Sequence, residues 1–419
     1  MGRAALLSLL LAGGCDIVVG IKPVREPPGD AAPADVMSDA GPTPCNLISM
    51  LGDDFNDNDL DVLWPGHSGT VNESNGVVTL DASATTYAQL SANRYFDFRN
   101  GFVSALIDSP STFDGSSEIN MYLQAPKKNY MLRITRRMNG FTFFRQENGQ
   151  DNVIGTKPYD PVTDRYWKIA NNGGVAEFSF SPNGTNYTIA ASVPGLPYID
   201  FMTPTFTAYR SATPLVATID DVNGGTASGI ACPARSLADN FDDGTLDEKW
   251  TARSQVLGAG TLSEQGGYAD LSFPMLSQVI LESPSFVDLR DDQFVIEVPQ
   301  NVSTSSINTF SMQVSNVSGG RIELSITGTE MRGWQYTPTQ MPHGTGTFVP
   351  GTHRWFRFRS KDNFIYWETS ADGVDWGATP FGSTNDFPGL DRVDILVAVA
   401  ANGGTSGDVH VDNWNLPPP

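Results

Sequence analysis

Two stretches set aromatic rings beside amide and guanidinium groups at alternating positions. In the first, Asn120, Tyr122 and Gln124 alternate with apolar residues, and Arg133 and Arg145 follow in the next segments. In the second, Arg332, Trp334 and Tyr336 take alternate places. Residues two apart on an extended chain share a face. A flat ring with fixed polar groups around it suits a sugar, whose apolar face stacks while its hydroxyls hydrogen-bond. These eight residues form the candidate binding set. A second chemistry is hinted at by Asp57-x-Asp59-x-Asp61, which has the spacing of the first half of a calcium loop. The central Gly and the Glu at the twelfth position are missing. A better account has Leu60 and Trp64, and likewise Leu246 and Trp250, anchoring a short turn that Asp side chains cap. The four histidines show no zinc pattern, and there is neither a Gly-x-Ser-x-Gly elbow nor a phosphate loop.

The elements that carry these residues come twice. Asp54-Phe55-Asn56-Asp57 leading to Trp64 returns as Asn240-Phe241-Asp242-Asp243 leading to Trp250. Arg165-Tyr166-Trp167 runs to Ser181-Pro182-Asn183-Gly184, and Arg354-Trp355-Phe356 runs to Ser370-Ala371-Asp372-Gly373. Ile219-Asp220-Asp221-Val222-Asn223 closes the first copy, and Val411-Asp412-Asn413-Trp414-Asn415 closes the second. A spacing of about 190 residues is too long for a solenoid unit and fits two whole domains, each with its own core. Within each copy, period-two segments such as Ser117–Gln124, Asn308–Ser315 and Arg321–Thr327 are separated by turn residues. Asn183-Gly184 and Asp372-Gly373 read as hairpin turns. No amphipathic helix of more than a turn or two is legible, so the expected class is all-β, as large two-sheet sandwiches.

The N-terminal end reads as an export signal. Arg3 and the apolar run from Ala4 to Ala12 end in Gly13-Gly14-Cys15, a short signal with a small-residue cleavage site. Residues 16–44 hold six prolines among Ala, Asp and Gly, which is the composition of a tether without a core. Cys45 and Cys232 flank the first copy. In an oxidising compartment they are expected to form a bridge that closes it. The net charge of −21 leaves no basic footprint for nucleic acid.

These motifs resemble known families. Gly13-Gly14-Cys15 is similar to a bacterial lipobox, although Ala12 stands where Leu is usual; the resemblance implies cleavage before Cys15 and lipidation of its thiol. The Asp-Phe…Trp opening, the Arg-aromatic-aromatic hairpin and the closing Ile219-Asp220 or Val411-Asp412 resemble concanavalin-A-like lectin/glucanase domains of the laminin-G-like jelly-roll type. That resemblance implies a jelly roll with a concave sheet on which relatives bind or cut glycans. It also implies a structural calcium held by Asp220 and Asp412 on the convex side. Glucanases of this fold need Glu-x-Asp-x-x-Glu, because two carboxylates ~5–5.5 Å apart attack and protonate in turn. The nearest match here, Glu118-Ile119-Asn120-Met121-Tyr122-Leu123, keeps one carboxylate, and the matching part of the second copy keeps none.

The sequence therefore leads to this organisation: a signal peptide at 1–14, a lipidated tether at 15–44, and jelly rolls at 45–232 and 233–419. Such a chain is expected in the cell envelope, held to the membrane through its lipid, with no cofactor beyond structural calcium. Its expected role is non-catalytic binding of a glycan or an envelope protein. A structural envelope component without a small ligand is the alternative, and a glycoside hydrolase the third.

Overall fold

The computed structural model describes residues 47–58, 60, 63–92, 94–108, 114–126, 129–194, 200–225, 231–251, 253–299, 308–337, 339–401 and 406–418. The segments expected to be signal and tether, with Cys15 and Cys45, lie outside the described residues, and so do Asp59 and Asp61 of the acidic opening. The described chain is almost entirely β, arranged as two sandwiches of mostly antiparallel sheets.

In the first sandwich the front sheet runs in the order Gly66–Ser68, Tyr87–Ser91, Phe201–Tyr209, Glu118–Gln124, Met131–Arg137, Gly140–Glu147, Gln150–Lys157. The back sheet runs Thr188–Pro194, Val175–Ser181, Tyr166–Asn172, Phe102–Asp108, Val216–Asp220, Val77–Asp81, Thr70–Ser74. Period-two alternation decides which side is buried. Ile119, Met121 and Leu123 face inward and are buried, whereas Asn120 and Tyr122 point to the outer face. Front-sheet Phe141 meets back-sheet Trp167 edge-on at 5.0 Å and Phe180 at 4.3 Å. The second sandwich repeats the plan. Its front sheet centres on Gln278–Glu282, Val393–Ala401, Asn308–Asn316, Arg321–Thr327, Glu330–Tyr336 and Gln340–Thr347. Its back sheet comes in a three-stranded and a four-stranded part, which meet at the isolated pair Glu297 and Asp412.

The repeated opening and closing motifs serve one purpose. Asp53 accepts the Trp64 indole N–H at 2.9 Å and the Phe55 N–H at 2.9 Å; Asp239 accepts the same groups from Trp250 and Phe241 at 2.7 and 2.9 Å. Both Trp and both Phe are fully buried. Phe55 and Phe241 stand at φ 49° and 50°, a left-handed backbone that a bulky residue rarely adopts. The opening is tied to the end of each repeat by one asparagine. Asn223 donates to the Ile48 and Leu51 carbonyls at 2.9 Å each and accepts from Ser104 N at 2.7 Å. Asn415 donates to the Ala234 and Leu237 carbonyls at 2.7 and 3.1 Å and accepts from Val295 N at 2.8 Å.

The two sandwiches touch through a buried charge cluster. Arg94 of the first donates to Asp394 of the second at 2.7 Å and lies 4.2 Å over the Phe286 ring. Arg253 pairs with the same Asp394 at 2.6 Å and with Glu282 at 2.7 Å, and Tyr95 N donates to the Pro284 carbonyl. Cys232, which the sequence reading sets at the end of the first repeat, pairs with Val287 in the second repeat's front sheet.

Replacing Asn223 by Ala removes three backbone partners at once; the Ile48 carbonyl keeps the Leu51 N–H, while the Leu51 carbonyl and the Ser104 N–H lose the side-chain partner. The expected loss is about 2–4 kcal/mol, from roughly 1 kcal/mol per bond plus the unsatisfied groups. Urea denaturation checks this, and an unchanged midpoint would show that the clamp is not structural.

Candidate functional site

The outer face of each front sheet carries the candidate residues other than Arg145, because the inner face is filled with core. On the first repeat, register sets Thr205 against Tyr122, Tyr122 against Arg133, and Arg133 against Phe144. Arg133 lies 4.4 Å over the Phe144 ring and pairs with Asp151 at 2.6 Å, which also accepts from Gln146 at 2.8 Å. Tyr122 is half-buried among the Thr205 and Tyr87 hydroxyls, and burial pushes its phenol up from the usual range. Gln124 is exposed beside it on the same strand.

Asn120 occupies the expected face but is already engaged. Its amide donates to Thr207 at 3.1 Å and its carbonyl accepts from Thr135 at 2.7 Å. Ser91 and Thr205 continue this ladder at 2.9 Å. Arg145 does not join the set. It stands opposite Leu132, on the side of the sheet that Leu132 and Phe143 bury, and is paired with Glu147. The expectation that it shares a face with Arg133 is thereby corrected: the hairpin sets odd-numbered residues of one strand against even-numbered residues of the next.

On the second repeat Arg332, Trp334 and Tyr336 do share the outer face, opposite Ser325, Glu323 and Arg321. The Arg332 guanidinium lies 5.6 Å from the Trp334 ring and pairs with Glu330 at 2.6 Å; the Arg321 guanidinium lies 4.1 Å over Tyr336. Phe144, Asp151, Glu323 and Gln313 also line these faces and were not singled out from sequence. The remaining tryptophans behave as packing. Trp64, Trp167, Trp250, Trp355, Trp367 and Trp414 are buried, while Trp376 is half-buried under Arg357 at 4.0 Å.

The single carboxylate of the glucanase-like stretch is spoken for. Glu118 accepts from Arg137 Nε at 2.8 Å, and Leu123, at the place of the second carboxylate, points into the core with no exposure. In the second repeat the matching strand presents Thr309, Ser311 and Gln313 outward.

The calcium expectation can be tested on donor chemistry. Among the described residues no group of three or more His, Cys, Asp or Glu side chains converges as a metal site. Asp220 accepts from Asp221 N and Asp412 from Asn413 N, each at 2.6 Å. Glu297, beside Asp412, is taken up by Asn413 Nδ2 and Arg354. Burial, with Glu297 adding to it, pushes the Asp412 carboxyl up to about 6. The side chains alone do not make a calcium site at either position.

A pair of acidic side chains at each opening behaves differently. Glu73 is buried against Asp57, and burial followed by the Asp57 carboxylate raises its pKa from 4.5 to about 7. Glu264 beside Asp243 is raised as well, burial again leading. The raised Glu73 value means that the folded state holds a proton the unfolded state has lost. Stability from this group is full below pH 4.5 and falls as pH rises towards about 7. Glu73→Gln should flatten that slope while leaving the fold intact. Chemical denaturation across this range checks it, and an unchanged slope would remove Glu73 from the account.

No protein-family model matches the chain, and no curated protein does. Among solved structures, the chain is similar to a glycoside hydrolase family 16 endo-glucanase from Bacteroides ovatus, with TM-score 0.32 and 10% identity over 43% of this chain and 98% of that one. It is also similar to lectin I-B4 of Griffonia simplicifolia in its metal-free form, with TM-score 0.31 and 11% identity over 39% of this chain and 93% of the lectin. A third is an immunostimulatory antigen and pseudo β-1,3-glucanase of Mycobacterium tuberculosis, with TM-score 0.30 and 14% identity over 36% of this chain and 76% of that one.

Proposed function

We propose that this chain is an exported, lipid-anchored binding protein that holds a glycan or another cell-surface component on its front-sheet faces without turning it over. The observation that carries the reading is the aromatic and guanidinium surface on the outer face of the second repeat: Arg332, Trp334, Tyr336 and Arg321 around a half-buried ring pair. Tyr122, Arg133 and Phe144 form a smaller counterpart on the first repeat. Glu118, held by Arg137 without a second carboxylate on its strand, favours binding over double-displacement hydrolysis. The proposal calls for no cofactor. A structural envelope role is favoured for the first repeat by one observation, the Asn120–Thr135–Thr207 ladder, whose groups satisfy one another.

Glycan-array binding of the full chain tests the reading. Trp334→Ala should weaken binding by ~1–3 kcal/mol if a stacked ring is lost, by analogy with bases stacked on aromatics. Tyr122→Ala should act in the same direction on the first repeat, and both variants should fold. Time-dependent release of reducing sugar would revive the hydrolase, and a blank array would leave the structural role.

The anchor and the bridge belong to the same proposal. Cys15 follows the small residues of the signal, and the half-buried Cys232 is not a free thiol, which supports pairing with Cys45. Peptide mapping of non-reduced protein from its native membrane should find a lipid-modified Cys15 and a joined Cys45–Cys232 peptide. An unmodified Cys15 would remove the anchor, and unpaired Cys45 the bridge.

A further inference from the structure

The two front faces carry opposite charge at one register position. The strands correspond because Met202 pairs with Phe96 in the first repeat and Val393 with Val287 in the second. Thr203 then faces Gln124, and Asp394 faces Ser315. Two residues along, Tyr122 corresponds to Gln313. Across the next pairings, Arg133 corresponds to Glu323 and Phe144 to Trp334.

The two charges differ in how they are compensated. Arg133 has Asp151 at 2.6 Å. Glu323 is only 8% exposed, and the cation beside it, Arg321, stands 3.5 Å away. That is longer than the ~2.7–2.9 Å of a charge-assisted hydrogen bond. The Arg321 guanidinium meanwhile covers the Tyr336 ring. Among the described residues no hydrogen bond to the Glu323 carboxylate is formed, and burial raises its pKa. The carboxylate oxygens keep contact with solvent, and a ligand that supplies a cationic N–H adds a charge-assisted bond that the protein itself does not make. The Trp334 ring stands directly across the strand pair, and Gln313 and Ser325 lie beside Glu323 on the same face.

Resting on the glycan-binding reading above, we infer that the outer face of the second repeat selects a glycan bearing free amino groups, with a pyranose ring on Trp334 and its ammonium on Glu323. The first repeat, with Arg133 at the matching place, does not share this preference.

The test compares a glucosamine tetrasaccharide with its fully N-acetylated counterpart by calorimetry on the full chain. The free-amine oligomer should bind at least about tenfold more tightly, the scale of one added charge-assisted bond. Because the chain carries a net charge of −21, general attraction for a cation needs a control. Glu323→Gln should abolish the preference, whereas Asp362→Asn, at an exposed back-sheet hairpin, should keep it. Without any substitution, acidification should also abolish it, because Glu323 takes up a proton while the amine stays charged. Equal binding of the two oligomers, or a preference that survives Glu323→Gln or acidification, overturns the inference and leaves glycan binding standing. If neither oligomer binds while other glycans on an array do, the inference again falls alone. If no glycan binds, both readings fall.

Discussion

Each sandwich hangs on one asparagine. Asn223 and Asn415 sit just past the last strand, and each side chain holds two carbonyls of the opening turn and one N–H of a central back-sheet strand. The opening turn has no sheet of its own to satisfy its backbone, and buried carbonyls need partners. An amide that donates twice and accepts once fills that need in a single residue. Once the turn is clamped, Asp53 or Asp239 can receive the Trp indole, and the Phe between them is held in a left-handed conformation it would otherwise avoid. Chain start and chain end of each repeat are thereby joined over the core, and the front sheet is left with one face free.

The joint between the repeats is of another kind. Asp394 receives two guanidinium groups, one from each sandwich, while Glu282 balances Arg253. Buried ion pairs are weak evidence for stability, since desolvation offsets much of their attraction. Their geometry is specific, however, and Arg94 over Phe286 adds a contact that depends on position. A joint built this way favours one arrangement of the two sandwiches over many loose ones. Two faces held in a fixed relation would gain effective concentration only for a ligand that spans them in that relation.

Much of the fold was legible because the residues that close each repeat have no substitutes. Trp64 and Trp250 supply the indole, Asn223 and Asn415 the three-way amide, and Asn183-Gly184 and Asp372-Gly373 the turn, so each copy keeps them. The outer face was less legible because its membership depends on register. Sequence spacing alone sets Arg145 beside Arg133, but the pairing of Arg133 with Phe144 sets Arg145 opposite Leu132. Glu323 lay within a visibly alternating strand, yet its importance rests on Trp334 standing across a two-residue turn, which pairs Thr327 with Glu330. The Arg94–Asp394 contact joins residues 300 positions apart, and no local pattern announces it.

The contrast between the faces follows from what each side of the front sheet must do. The inner side meets a second sheet and tolerates only apolar side chains of fitting size, so Met121 and Leu123 in one repeat answer Met312 and Val314 in the other. The outer side is under no such constraint. There the two copies have parted: threonines facing Asn120 and Tyr122 in the first repeat give way to Ala398 and Leu396 facing Ser311 and Gln313 in the second, and Arg133 gives way to Glu323. The first face closes its polar groups on itself through Asn120. The second sets the Glu323 carboxylate, without a hydrogen-bond donor among the described residues, across from the half-buried Trp334 indole, a combination that packing alone does not require.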